Sequence, residues 1–258
     1  MTKILVTGST GIGGAVAARL GERALTIGRH GHIRADLSLL GETARAADEV
    51  AATHDRLDAI VCCAGVFTMR AATTAEGLER AWVLNYLSRF LLIDRLLPLL
   101  PPDGRVVLVA SAGRYRDVRG NPTRGLRVAG RTQFANDLYA VELAARKPSL
   151  SVACVYPGLV ATRVFRDATG VPSPLRRVMD ALQQRIGASP SSAARGPVQL
   201  AIGPAFASGF YGPSARPLPV PDRVLHGRRA ELWAESETLT GRVGSLTCRR
   251  SRPATEPA

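Results

Sequence analysis

Apolar residues fall along this chain in two alternating rhythms. Short aliphatic and β-branched runs, at Ile4-Leu5-Val6-Thr7, 24–28, 57–65, 104–111 and 150–156, read as buried strands. Between them, apolar residues recur at helical spacing over 15–20, 41–53, 74–100, 129–146, 193–202 and 230–239. Smaller strand signals stand at 33–38 and 209–211. Strands that alternate with helices of this length predict an α/β fold, a doubly wound parallel sheet covered on both faces, as a single domain over residues 1–241. Residues 163–192, rich in Pro, Arg and Gly, read as a lid over the ligand edge. Residues 242–258, polar and aperiodic, read as a disordered tail.

The first strand breaks at Gly8-Ser9-Thr10-Gly11-Ile12-Gly13-Gly14 and passes straight into an alanine-rich helix. Strand, glycine turn and helix in that order make the phosphate cradle of a Rossmann-type dinucleotide-binding unit. Gly8 allows the tight turn, while Gly11 and either Gly13 or Gly14 let backbone approach a pyrophosphate beside Thr10 and Ile12. At the end of the second strand, where a carboxylate would take a ribose 2′-hydroxyl, stand Gly28 and Arg29. An arginine there suits a 2′-phosphate, so the expected cofactor is NADP rather than NAD. Asp36 is placed to cap the next segment or to contact an adenine.

Composition narrows the class. With 258 residues, 46% of them hydrophobic, the chain can bury a substantial core. Strand-like sequence begins at Thr2-Lys3, so no signal peptide is expected. The most apolar run, residues 90–100, is interrupted by Asp94, Arg95 and Pro98, which makes it a core helix rather than a membrane span. Four cysteines without disulfide or zinc spacing fit a reducing cytoplasm and no metal. The net charge of +13 is almost wholly arginine, with lysine only at Lys3 and Lys147, a bias expected of a GC-rich bacterial genome. These charges are scattered without interleaved aromatics, so no nucleic-acid partner is expected. One concentration, Arg114, Arg116, Arg119, Arg124, Arg127 and Arg131 with Arg163, Arg166, Arg176 and Arg177, falls where a substrate mouth would lie. It raises the case of an anionic or carrier-bound substrate.

Taken in order, these segments resemble the short-chain dehydrogenase/reductase family over residues 3 to about 241. Thr7-Gly8-Ser9-Thr10-Gly11-Ile12-Gly13 is similar to its glycine motif, one residue shorter than the commonest form, and Cys62-Cys63-Ala64-Gly65 resembles its NNAG turn. Asn85 and Ser111 stand where the family has its helix asparagine and catalytic serine. Pro157-Gly158-Leu159-Val160-Ala161-Thr162 resembles the PGxxxT segment, whose threonine holds the nicotinamide carboxamide. The stretch 231–241 is similar to the C-terminal helix of the retinol-dehydrogenase-like branch. The resemblance implies cofactor contacts at Gly8, Thr10, Gly11, Ile12, Gly13, Arg29, Asp36, Ala64, Gly65, Pro157, Gly158 and Thr162.

Where the family carries a Tyr-x-x-x-Lys pair, this chain has Ala129 and Gln133. None of its tyrosines, Tyr86, Tyr115, Tyr139, Tyr156 and Tyr211, is followed four residues later by lysine. Gln133 can hydrogen-bond a ribose hydroxyl but brings no charge. Loss of a positioned general acid costs about 10²–10⁴ in rate, or about 3–5 kcal/mol of barrier. The expected activity is therefore NADP(H)-dependent oxidoreduction of a carbonyl or alcohol on a small molecule, with a non-standard proton donor drawn from Ser111, water or Tyr115, and with Asn85 in support. Two other readings stay open: a non-redox dehydratase, isomerase or cyclase on the same scaffold, and a catalytically silent NADP-binding protein. A homo-oligomer is expected by the same resemblance.

Overall fold

The computed structural model describes residues 2–161 and 171–250, with residues 242–250 described through their backbone alone. In chain order the elements are β1 (Ile4–Thr7), α1 (Gly11–Leu20), β2 (Ala24–Gly28), β3 (Ile33–Arg34), α2 (Leu40–Thr53) and β4 (Ala59–Cys62). A helix follows in three pieces: α3 (Arg80–Trp82), a π-turn at Val83–Leu87 and α4 (Ser88–Leu96). The chain continues through β5 (Arg105–Val109), α5 (Leu126–Arg146), β6 (Ser151–Val155), α6 (Ser173–Ile186), α7 (Pro190–Ala193) and α8 (Arg195–Ile202). It closes with β7 (Gly209–Tyr211), β8 (Pro217–Leu218), α9 (Asp222–Leu225) and α10 (Arg229–Arg250).

The strands form one sheet in the order β3-β2-β1-β4-β5-β6-β7-β8, parallel throughout except for the antiparallel β7–β8 pair. Period-two alternation sends Leu5, Ile60, Val106 and Val152 to one face and Ile4, Val6, Val61, Val107 and Ala153 to the other. On the first face they meet Leu40 of α2, Phe90 and Ile93 of α4, Phe134 and Leu138 of α5 and Trp233 of α10. On the second they meet Val16 and Leu20 of α1 and Leu200 of α8. Burial on both faces explains why these strands read as continuous apolar runs. From β1 the chain winds one way to β2 and β3, then crosses back to β4 beside β1. That reversal opens a crevice at the C-terminal ends of β1 and β4, the place where such sheets bind ligands.

Three expectations change. The helix expected from Thr74 begins only at Arg80, because Gly77 turns at φ +76° and the Glu79 carboxylate accepts from the N–H groups of Ala81 and Trp82 as an N-cap. The tail expected to be irregular from 242 instead continues α10 to Arg250. Its first half is fixed by buried Leu232, Trp233, Ser236 and Thr240, and no proline interrupts propagation before Pro253. Residues 251–258 lie outside the described residues. Within the expected lid, residues 173–186 form α6, which leaves Leu175, Val178, Leu182 and Ile186 exposed along one side. The rest of that segment's start, with Thr162, Arg163 and Arg166, lies outside the described residues. Among the described residues no helix is long and apolar enough to cross a membrane.

Candidate active site

At the crevice the glycine turn is held by contacts that leave no room for side chains. Gly8 sits at φ +89° and Gly11 at φ +56°, both in the left-handed region that favours glycine. A Cβ on Gly13 would stand 2.1 Å from the Gly8 carbonyl oxygen, so α1 can approach β1 this closely only with glycine there. Thr10, extended at the N-cap, makes no side-chain cap, which leaves the first-turn N–H groups of α1, at Gly11, Ile12 and Gly13, without a side-chain acceptor. Thr7 Oγ1 accepts from the backbone N–H of Cys63 and Ala64, tying the end of β4 to the turn. These features fit a pyrophosphate at a helix N-terminus. Arg29 is exposed just beyond β2. Asp36 accepts from the N–H and hydroxyl of Ser38, as a cap does. Burial raises its pKa, but those two bonds and the charges of Arg80 and Arg29 outweigh it and hold the carboxyl below its ordinary value.

Asn85 lies inside the π-turn, a widened helical turn common at functional sites. Its side chain grips Val66 from both ends, accepting from the Val66 N–H at 2.8 Å and donating to the Val66 carbonyl at 2.8 Å, which fixes the Ala64-Gly65 turn. It also donates to Thr132 Oγ1 on α5 at 3.3 Å, while Asn136 Nδ2 donates to the Asn85 carbonyl at 2.9 Å. Arg89, fully buried one turn later, donates to the carbonyls of Val109 and Ala64 and to Asn136 Oδ1. Burial lowers its pKa from the ordinary value. This guanidinium pins β4, β5 and α5 together at the strand ends.

Ser111 follows β5 and is buried. Its hydroxyl donates to Asp137 Oδ2 at 2.9 Å. The chain then turns through Ala112 at φ +46° and Gly113 at φ +83°, and the Gly113 N–H donates to the same oxygen at 3.0 Å. A non-glycine residue in that region is strained backbone, a feature concentrated at functional sites. Tyr115 is half-buried, with its ring against Gly130 beside Ala129, and its pKa is raised by burial and by Tyr156. Gln133 is partly exposed on α5. Pro157 and Gly158, the latter at φ +84°, follow β6 at the same edge of the sheet. Of the arginine concentration, Arg131 is buried against the Trp82 ring at 3.7 Å and belongs to the interior, while Arg114 lies over the Tyr156 ring at 3.8 Å. Among the described residues no group of three or more His, Cys, Asp or Glu is placed to hold a metal ion.

Sequence reasoning placed the glycines, Asn85 and Ser111 at the crevice but missed Arg89, Asn136 and Asp137. Their signal was present: each is a polar residue at a core-facing position of an apolar helix, beside Phe90-Leu91-Leu92-Ile93 or between Phe134 and Leu138.

Sheet order, switch point and glycine turn define a Rossmann-type α/β protein. The chain belongs to the short-chain dehydrogenase/reductase family: residues 8–198 match the family model described as "Enoyl-(Acyl carrier protein) reductase". Mouse polyprenol dehydrogenase is 31% identical over 287 residues, covering 93% of this chain and 84% of that protein. Human retinol dehydrogenase 14 is 25% identical over 220 residues, covering 80% of this chain and 65% of that protein. The chain thus spans about two thirds of the length of the retinol dehydrogenases it matches. Among solved structures, a protein of Mycobacterium paratuberculosis superposes with a TM-score of 0.67 at 24% identity, covering 93% of this chain and 94% of that one. An angucycline C-6 ketoreductase with bound NADP gives 0.62 at 23% identity, covering 83% and 95%. At these identities the structural matches speak for the fold.

Proposed function

We propose that the protein is an NADP(H)-dependent oxidoreductase that interconverts a carbonyl and an alcohol on a small molecule, with the Ser111 hydroxyl at the reacting oxygen. The observation that carries this reading is the cradle, where Gly13 fits so closely under the Gly8 carbonyl that only glycine serves. Gly8, Thr10, Gly11, Ile12 and Gly13 would hold the pyrophosphate, Arg29 the 2′-phosphate and Asp36 the adenine side. Ala64 and Gly65 would flank the dinucleotide, Gln133 a ribose hydroxyl, and Pro157, Gly158 and Thr162 the nicotinamide end. When bound, the dinucleotide supplies or accepts a hydride. Ser111 polarises the substrate oxygen, Asn85 fixes the turn beneath it, and Tyr115 offers a second hydroxyl nearby.

An apolar alcohol or aldehyde fits the exposed row Leu175, Val178, Leu182 and Ile186 on α6, which Gln183 anchors to the Val160 carbonyl after β6. The names of two relatives, a retinol and a polyprenol dehydrogenase, support the same character. The exposed Arg116, Arg119, Arg124 and Arg127 support the anionic or carrier-bound alternative. Turnover that weakens steeply with added salt favours the second, and salt-insensitive turnover the first. A lid over 163–192 and a homo-oligomer complete the reading.

The test is a screen of carbonyl and alcohol substrates with product detection alongside nicotinamide absorbance. Product formed in step with cofactor turnover is expected. Product without absorbance change would establish the redox-silent alternative, which Ala129 favours by clearing space where the family places a tyrosine. Binding without any product would make the protein a silent NADP binder.

A further inference from the structure

Asp137 has no part in the family motifs, yet it is the most completely enclosed carboxylate beside the crevice. It is 0% exposed, in the middle of α5. Oδ2 accepts from the Ser111 hydroxyl at 2.9 Å and the Gly113 N–H at 3.0 Å, and Oδ1 accepts from Cys154 Sγ at 3.3 Å. No lysine or arginine forms an ion pair with it among the described residues. Arg223 on α9 spends its guanidinium on the carbonyls of Gly113 and Tyr115, and Arg89 on α4 spends its own on Val109, Ala64 and Asn136. Cys154, facing Asp137 from β6, is a buried thiol whose pKa stands well above its ordinary value, first through burial and next through Asp137 itself.

Position adds to this. Ala129, Gln133 and Asp137 follow one another at four-residue spacing, so they form one row along α5. The row therefore carries an ionisable group one turn beyond the two places where the family has its tyrosine and lysine, in direct contact with the serine at the end of β5.

We propose that Asp137 and Ser111 form a two-residue proton relay that replaces the missing tyrosine and lysine. This rests on the oxidoreductase reading above. In reduction, the carbonyl carbon gains the hydride of the reduced nicotinamide, and the carbonyl oxygen takes the Ser111 hydroxyl proton. Ser111 Oγ recovers a proton from the neutral Asp137 carboxyl, which is left as carboxylate and regains a proton back through Ser111 from water that enters the crevice once product has left. In oxidation each transfer reverses: the alcohol proton passes to Ser111, the Ser111 proton to the carboxylate, and the hydride to the oxidised nicotinamide. The protonation state suits the task. Burial pushes the Asp137 carboxyl up to about 6, against the lowering pull of Ser111, Cys154, the Gly113 N–H and Arg223, so both forms are within reach near neutral pH. Asp137 acts through Ser111 and is a positioning and relay residue, while Ser111 touches the substrate.

The test uses the full chain without cofactor first. Aspartate carboxyl carbons are followed by NMR across pH in the wild type, Asp137→Asn and Ser111→Ala. One carboxyl should titrate at about 6, vanish in Asp137→Asn and move upward in Ser111→Ala, which lacks the hydroxyl that favours the carboxylate. In NADPH-driven reduction, Asp137→Asn should lose about 10²–10⁴-fold in kcat while KM and NADPH affinity stay within about twofold. It should also lose the decline in rate that the wild type shows as pH rises through about 6. A merely structural role would leave that pH break in the residual activity. Wild-type kcat in Asp137→Asn, a pH break that persists in it, or no carboxyl titrating between about pH 5 and 7 would each overturn the relay. Should Asp137→Asn fold poorly, the wild-type and Ser111→Ala titrations decide alone. Failure of the oxidoreductase reading looks different: a wild type that neither binds NADPH nor transfers hydride.

Discussion

The two halves of the crevice are built by opposite means. On the β1–α1 side the ligand surface is backbone, shaped by what glycine lacks. On the β5–α5 side it is side chain, two buried hydrogen-bonded groups: Ser111 and Cys154 on Asp137, and Arg89 on Asn136. The backbone half tolerates almost no change at its key glycines, yet its residues need no neighbours from distant sequence to be recognised. The side-chain half carries Ala129, Gln133 and the buried carboxylate of Asp137 along one row of α5. A phosphate cradle needs shape, and proton chemistry needs a group of suitable pKa in the right place, so the second can be rebuilt from other residues while the first cannot.

The largest effect should come from breaking the backbone half. Gly13→Ala sets a Cβ 2.1 Å from the Gly8 carbonyl oxygen. Overpacking typically costs about 1–3 kcal/mol and occasionally more, and this site stands at the upper end because backbone rather than a flexible side chain must move. Thermal melting should show that loss, with NADPH affinity falling along with it. A variant with wild-type melting and binding would mean the turn relaxes freely, and the contrast between the halves would fail.

A smaller effect should come from the side-chain half through pH. The folded Asp137 carboxyl titrates at about 6 against an ordinary value of 3.8, so the fold prefers its neutral form. Its contribution to stability is complete below 3.8 and is lost as pH rises through about 6, a change of about 3 kcal/mol from this one group. Denaturant unfolding followed from acid to neutral pH should show the wild type losing this increment relative to Asp137→Asn. Parallel curves for the two proteins would place Asp137 in contact with water and remove it from its buried group.

How much was legible beforehand follows the same division. The strands and the glycine turn were readable because period and glycine spacing are local signals. The two polar groups were not, since their members come from α4, β5, α5 and β6 and only folding brings them together. Asp137 was visible as a lone charge between Phe134 and Leu138, but sequence could not say which strand end it faced. The start of the helix at Arg80 was hidden in the Gly77 turn and the Glu79 cap, and the length of α10 in a polar composition that helix propagation overrides.

The smallest effect should sharpen the cofactor choice. Arg29→Ala removes an exposed cation beyond β2 and should cost about 1.5–3 kcal/mol of NADPH affinity, the range for a hydrogen bond to a charged group, with NADH affinity unchanged. Equal losses for both cofactors would move the 2′-phosphate contact elsewhere.

The proposed reading requires the glycine cradle to hold a phosphorylated dinucleotide in a chain with Ala129 and Gln133 on α5. Calorimetric titration of the purified wild type with NADPH, NADP⁺, NADH and NAD⁺ tests it most directly. Micromolar binding, on the order of −8 kcal/mol, is expected, with the phosphorylated forms preferred. Absence of heat with all four would contradict it, leaving the glycine turn as fold architecture alone and the crevice to a different ligand.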